Sequence, residues 1–209
     1  VVGKVRKGEE VNKRQIRDKP EGFDSYEELY FSWYLCELID NGFIDCYRYQ
    51  PKTYELSGNK SYKTIKPLKT KLKEEEHTIL QPHSYTPDYA IYWRPEAIGV
   101  FCKGLSESVT YDQKDAFFWV NMRVSGNYSL IDVKPMFDMQ NMTRQFIINQ
   151  KWLYDKHNIY CQKVIPEHLF KKTFTPERFL KTNKSGKDRK LDFKPRSLRE
   201  YLLTFKKGC

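Results

Sequence analysis

Hydrophobic and polar positions along this chain change period several times, and each change marks an element. Residues 1–22 are polar and basic, with Lys4, Arg6, Lys7, Lys13, Arg14, Arg17 and Lys19 and no sustained apolar period, which reads as an arm. A helical period then sets in. Ser25 followed by Glu28 is a capping box, and Tyr26, Leu29, Tyr30, Trp33, Leu38 and Ile39 recur at helical spacing until Asn41-Gly42 stops them. Phe31, Tyr34 and Leu35 widen the stripe, so this helix is expected to pack on more than one side. Residues 43–56 have strand composition, interrupted by Gln50-Pro51 and closed by Ser57-Gly58-Asn59, and predict a hairpin or meander. Residues 60–76 follow with many lysines and the run Glu74-Glu75-Glu76. They read as a solvated loop or an excursion of the strands, with nucleic-acid contact as the alternative.

Residues 77–81 predict a short strand and Tyr89-Ala90-Ile91-Tyr92-Trp93 a strong one, entered through Tyr85-Thr86-Pro87-Asp88. Residues 99–115 read as an insertion, and Phe117-Phe118-Trp119 as another strand of the same sheet. The segment 128–135, Tyr-Ser-Leu-Ile-Asp-Val-Lys-Pro, alternates as a buried strand does: Leu130, Asp132 and Lys134 share one face, and Ser129, Ile131 and Val133 the other. A helix carrying Phe146, Ile147, Trp152, Leu153 and Tyr154 comes next, stopping near His157-Asn158, then a strand over 159–165 bounded by Pro166. Thr175-Pro176-Glu177 opens a short helix, residues 181–196 form a basic linker, and residues 197–206 a last amphipathic helix with Leu198, Tyr201, Leu202 and Phe205 on one face. Helix, strands, charged strand, helix and strand in that order predict an α/β fold with a central mixed sheet flanked by helices.

Asp132 and Lys134 change this picture from fold to chemistry. Charge in a strand otherwise fit for a core is expensive unless something binds it. The two side chains either lie in solvent on an edge strand, pair with other side chains, or hold a metal ion and a reactive water. Asp88, at the mouth of the preceding strand, supplies a second carboxylate. Two carboxylates, a lysine and the Val133 carbonyl between the charged residues suit Mg²⁺ or Mn²⁺ rather than zinc.

Composition narrows the partner. The chain has 209 residues, enough to bury a full core, and carries a formal net charge of +10, which favours a polyanion and nucleic acid first. No apolar run approaches a membrane span, so no membrane partner is expected. Cys36, Cys46, Cys102, Cys161 and Cys209 are odd in number and widely spaced, and with no signal peptide read they imply reduced thiols and a cytoplasmic setting, the host cytoplasm if the gene is a phage's. The sequons at Asn59, Asn141 and Asn183 are then expected to be chance, and the four histidines form no ligand-spaced cluster. No internal repeat, P-loop or dinucleotide-binding glycine pattern is present.

Pro87-Asp88, then Asp132-Val133-Lys134, preceded by a glutamate on an N-terminal helix, resembles the PD-(D/E)xK nuclease superfamily, from about Ser25 to Ile165. The wording of Tyr-Thr-Pro-Asp and Asp-Val-Lys-Pro looks like that of transposon-end-cutting subunits of Tn7-type elements and of small phage nucleases. The forty-four residues between Asp88 and Asp132 exceed the spacing in many members. The resemblance implies a restriction-endonuclease-like core over 23–170, a basic arm over 1–22 and a basic helical extension over 171–209. It also implies a Mg²⁺-dependent (or Mn²⁺-dependent) endonuclease cutting DNA to 5′-phosphate and 3′-hydroxyl ends, acting as a homodimer or within a larger DNA-processing complex. Asp88, Asp132 and Val133 would hold the metal, and Lys134 would position the attacking water. The helical acid falls on Glu28, with Glu27 as the fallback and the capping box as the competing role. Gln150 and Tyr154, four apart on one helix, match an accessory Gln-x-x-x-Tyr pattern of RecB-like branches, with helix packing as the default. A nucleic-acid-binding module without activity and an RNA-cleaving enzyme are the alternatives.

Overall fold

The structure, a computed structural model, describes residues 20–104, 119–121, 127–137, 142–181 and 188–206. Helix α1 (Tyr26–Asp40) starts where the sequence places it: the Ser25 side chain accepts from the Glu28 amide and the Asn41 amide closes the last turn on Glu37. Five strands follow, β1 (Ile44–Tyr49), β2 (Tyr54–Ser57), β3 (Lys60–Pro67), β4 (Leu72–Leu80) and β5 (His83–Tyr85), and then β6 (Tyr89–Trp93). After β7 (Cys102–Gly104), β8 (Trp119–Asn121) and β9 (Tyr128–Val133) come helix α2 (Met142–His157) and strand β10 (Cys161–Val164). Three short helices end the chain: α3 (Pro166–Lys172), α4 (Glu177–Lys181) and α5 (Leu198–Lys206).

The central sheet has the order β1-β6-β9-β10, with β1, β6 and β9 antiparallel in succession and β10 parallel to β9. A parallel pair needs a crossover, and α2 supplies it. The protein is thus mixed α/β with a mixed sheet. Alternation along the strands divides the core in two. Ile91, Ile131, Val133 and Val164 face α1, where Phe31, Tyr34, Leu35 and Leu38 are fully buried. Ala90, Leu130 and Cys161 face α2, through Phe146 and Leu153.

Two expectations about strand pairing change. The strands of 43–56 are not a hairpin with each other: β1 joins the central sheet, whereas β2 pairs with β5. The left-handed backbone of Gln50 (φ 44°) and Pro51 turn the chain out of the sheet between them. Trp119 does begin a strand, but β8 pairs in parallel with β7 in a separate two-stranded sheet. Phe117, Phe118 and most of the 99–115 insertion lie outside the described residues, as does the 1–19 part of the basic arm. The segment after residue 170 packs with the rest: Phe174, Phe179, Leu198 and Tyr201 belong to the same buried cluster as α1.

Candidate active site

Antiparallel pairing of β6 with β9 sets Tyr89 opposite Ile131, and continuing that register by one residue sets Asp88 opposite Asp132. Directly opposed residues in such a pair hold their Cβ atoms about 5 Å apart on one face of the sheet. This is how two acids forty-four residues apart in sequence become neighbours. Asp88 is anchored on both sides, its carbonyl accepting the Gln50 amide at 2.8 Å and its Oδ2 the Val133 amide at 2.6 Å. Lys134 follows where β9 leaves β6, its own amide held by the Val164 carbonyl at 2.8 Å. In an extended chain the N–H and C=O of one residue leave on the same edge, so the Val133 carbonyl is directed, like its amide, to the Asp88 side.

Asp132 is 2% exposed. Its Oδ1 pairs with the Lys134 ammonium, and its Oδ2 accepts a short hydrogen bond from the Tyr85 hydroxyl. The Tyr85 hydroxyl also lies 3.4 Å from the Cys161 sulfur, and burial first, then the neighbouring charges, push both of these groups far towards their protonated forms. Tyr85 therefore acts here as a fixed donor. Asp88 is pushed up to about 8, by burial first and then by the Asp132 charge, with Lys134 and the Val133 amide pulling the other way and Glu28 adding a smaller push. Asp88, Asp132, Lys134 and Glu28 thus share one electrostatic neighbourhood.

Glu28 is buried in the first turn of α1, and the cap holds its carboxylate. Oε1 accepts from the Ser25 hydroxyl at 2.9 Å, and Oε2 from the Asp24 amide at 3.0 Å and the Tyr49 hydroxyl at 2.6 Å. Burial, together with that bond to Glu28, holds the Tyr49 hydroxyl strongly protonated. Glu27, the fallback, is half-buried on the neighbouring position of α1. Gln150 does not reach the acids: its amide donates to the Cys161 carbonyl at 2.6 Å and ties α2 to β10. Tyr154 is exposed.

Two residues of this neighbourhood carry no sequence signal as site residues. Tyr85 sits three positions before Asp88 on an alternating apolar face, and Tyr49 ends a strand; each reads as packing until the partner strand is known. Among the described residues no group of three or more His, Cys, Asp or Glu side chains gathers as a metal cluster, and no helix is long and apolar enough to cross a membrane. No family model, curated protein or solved structure matches the chain.

Proposed function

We propose that the protein is a metal-dependent nuclease that hydrolyses DNA phosphodiester bonds at the Asp88, Asp132 and Lys134 cluster. The observation that carries this reading is the juxtaposition of Asp88 and Asp132 across adjacent strands, with Asp88 held protonated near neutral pH by burial first and then by the neighbouring Asp132 charge. Mg²⁺ is commonly held by one or two carboxylates, with water and substrate phosphate completing its shell, so a pair of acids and a strand-end carbonyl fit it without a third acidic side chain. Bound there, the ion would supply Lewis-acid stabilisation of the phosphate and an activated water. The mixed central sheet with α1 and α2 on opposite faces is the α/β frame on which the restriction-endonuclease-like core implied by the motif resemblance is proposed.

The chain's own residues have separable tasks in this reading. Asp88, after losing its proton to solvent, and Asp132 would provide the anionic ligands for the ion, and the Val133 carbonyl would add a neutral one. Tyr85 fixes the orientation of Asp132 by donating to Oδ2. Lys134, released from Oδ1, presents its ammonium to the attacking water and to the charge that develops on the phosphate. Glu28 stays in the cap and acts through the field it adds at Asp88.

A second reading rests on a specific feature: both oxygens of Asp132 are already engaged, by Lys134 and Tyr85. In a nucleic-acid-binding module without activity, the same groups are a buried ion pair that fixes the strand end. Incubating the protein with plasmid DNA, branched DNA and RNA in Mg²⁺, Mn²⁺ or EDTA separates the readings. The nuclease cuts DNA only with metal and leaves 5′-phosphate ends. Binding without cutting supports the module, preferential cutting of RNA moves the substrate, and cleavage that persists in EDTA or in Asp132→Ala removes the catalytic assignment.

A further inference from the structure

Strands β3 and β4 form a ribbon that, among the described residues, belongs to no larger sheet. They pair with each other over their whole length, from Lys60 opposite Leu80 to Pro67 opposite Leu72, and share no extensive contact with any other element among the described residues. Every position is exposed except Thr64 and Glu75, which are half-buried. A free two-stranded ribbon is marginal in water, and its two unpaired edges invite association. Its charges are arranged unevenly. Glu74 pairs with Lys63 and Glu75 with Lys66 and Lys73, so two of the three acids of the run are offset by lysines of the ribbon itself, while Glu76 accepts from the Ser61 hydroxyl. Lys69 and Lys71, in the turn closed by the Leu68 amide on the Lys71 carbonyl, and Lys60 at the base have no ion pair among the described residues. Beside these tip lysines Ile65 and Leu72 are 62% and 71% exposed, with Leu68 also exposed.

A basic tip with bare aliphatic side chains matches a polyanion that also offers apolar surface. It disfavours a second copy of the same chain, whose lysines would meet these. We propose that the β3–β4 ribbon is an arm that lies in a groove of duplex DNA beside the cut site, its lysines on the phosphates and its aliphatic tip against the sugars and base edges. The major groove admits a two-stranded ribbon, and aliphatic side chains recur as wedges at base steps. The arm's position suits this role. β4 is joined through Gln81-Pro82 to β5, whose last residue, Tyr85, donates to Asp132, so the arm is rooted at the acid cluster. A strand of eight residues reaches about 27 Å at ~3.4 Å per residue. That corresponds to roughly eight nucleotide steps of ~3.4 Å along one strand of DNA.

This inference rests on the nuclease reading for its partner, and the experiment keeps the two apart. The full chain and a variant in which residues 61–79 are replaced by a short Gly-Ser linker are compared, together with the point variant Lys69→Ala/Lys71→Ala. Each is checked first for an unchanged thermal transition, since the ribbon packs on itself. Affinity for a 40-base-pair duplex is then measured against salt in EDTA, and a hydroxyl-radical footprint is recorded. The arm predicts at least a tenfold loss of affinity on removing the ribbon and a footprint shorter by roughly eight nucleotides on one side. The salt slope should fall by about 2 to 3, near 0.9 for each lost phosphate contact. The point variant loses about 2 from the slope. Unchanged affinity, slope and footprint in a protein that binds and cuts DNA overturn the arm and leave the nuclease reading standing. A full chain that binds no DNA overturns both, and a ribbon variant that changes only the oligomeric state assigns the ribbon to a second copy instead.

Discussion

At the scale of the residue, Asp88 and Asp132 are both acids in one site but respond oppositely to loss of their charge. The Asp88 carboxyl rises from an unfolded value of about 4 to about 8 in the folded protein. Between these pH values the folded state holds a proton that the unfolded state has lost, so this group's contribution is full below pH ~4 and is lost as pH rises through 8. Asp88→Asn keeps an oxygen for the Val133 amide and removes the burdened charge. Compared with the wild type, it should stabilise the metal-free fold by ~1–3 kcal/mol at pH 9 and hardly at all at pH 4, as read from denaturant melts. Asp132→Asn should instead destabilise at neutral pH, because it leaves the Lys134 ammonium without its buried partner. Losing one side of such a pair costs about 3–5 kcal/mol when fully buried, and the 17% exposure of the Lys134 side chain puts the expected value at or below the low end. Equal and favourable effects of the two substitutions would contradict this arrangement. Tyr85→Phe removes the donor that orients Asp132, and if Asp132 holds the proposed metal ion, metal affinity should fall by ~10–100-fold by titration while the fold persists.

At the scale of the element, the parts of the chain that sequence order alone determines were legible. The α1 cap is local: Ser25 and Glu28 are one turn apart, the Ser25 hydroxyl oxygen accepts from the Glu28 amide, and the Glu28 carboxylate accepts in return from the Ser25 hydroxyl and the Asp24 amide. Ser25→Ala should cost about 1 kcal/mol and lower the thermal midpoint by roughly 2–4 °C, as followed by circular dichroism. The alternation of Leu130, Asp132 and Lys134 against Ile131 and Val133 was equally legible, since strand periodicity is intrinsic to the backbone. Pairing between strands was not. The 43–56 strands read as partners because they are adjacent in sequence, yet Gln50 and Pro51 send them to different sheets. Trp119 carries the composition of a central strand, but β8 pairs with β7, the strand just before it in the chain, in a sheet of their own. Tyr85 and Tyr49 escaped for the same reason, since their hydroxyl partners lie 47 and 21 residues away. Only a fold that registers those strands shows a tyrosine to be more than packing.

At the scale of the whole molecule, the net charge of +10 favours a polyanion, and in the described C-terminal segment some of the cations are also committed to the fold. Arg189 stacks its guanidinium 4.3 Å from the Phe179 ring and 4.8 Å from that of Tyr30, and Arg196 donates to the Lys171 and Lys172 carbonyls at the end of α3. These cations hold the C-terminal segment on the core, where Leu198 and Tyr201 are buried. Deleting residues 188–209 should therefore destabilise the protein by more than about 3 kcal/mol, the loss expected for truncating one large buried side chain. A thermal melt of the truncated chain checks this, and an unchanged midpoint would return the segment to the status of an appendage. The lysines of the β3–β4 ribbon, by contrast, can be altered with little effect on the core.

The most direct test of the central claim is calorimetric titration of the DNA-free protein with Mn²⁺ at pH 7, repeated in buffers of different ionisation enthalpy. If Asp88 and Asp132 share one ion, binding displaces the proton that Asp88 holds up to about pH 8. The account predicts a single site, release of about one proton for each Mn²⁺ bound, loss of the proton release in Asp88→Asn and loss of binding in Asp132→Ala. Mn²⁺ binding with no proton release, or binding that survives Asp132→Ala undiminished, would contradict it.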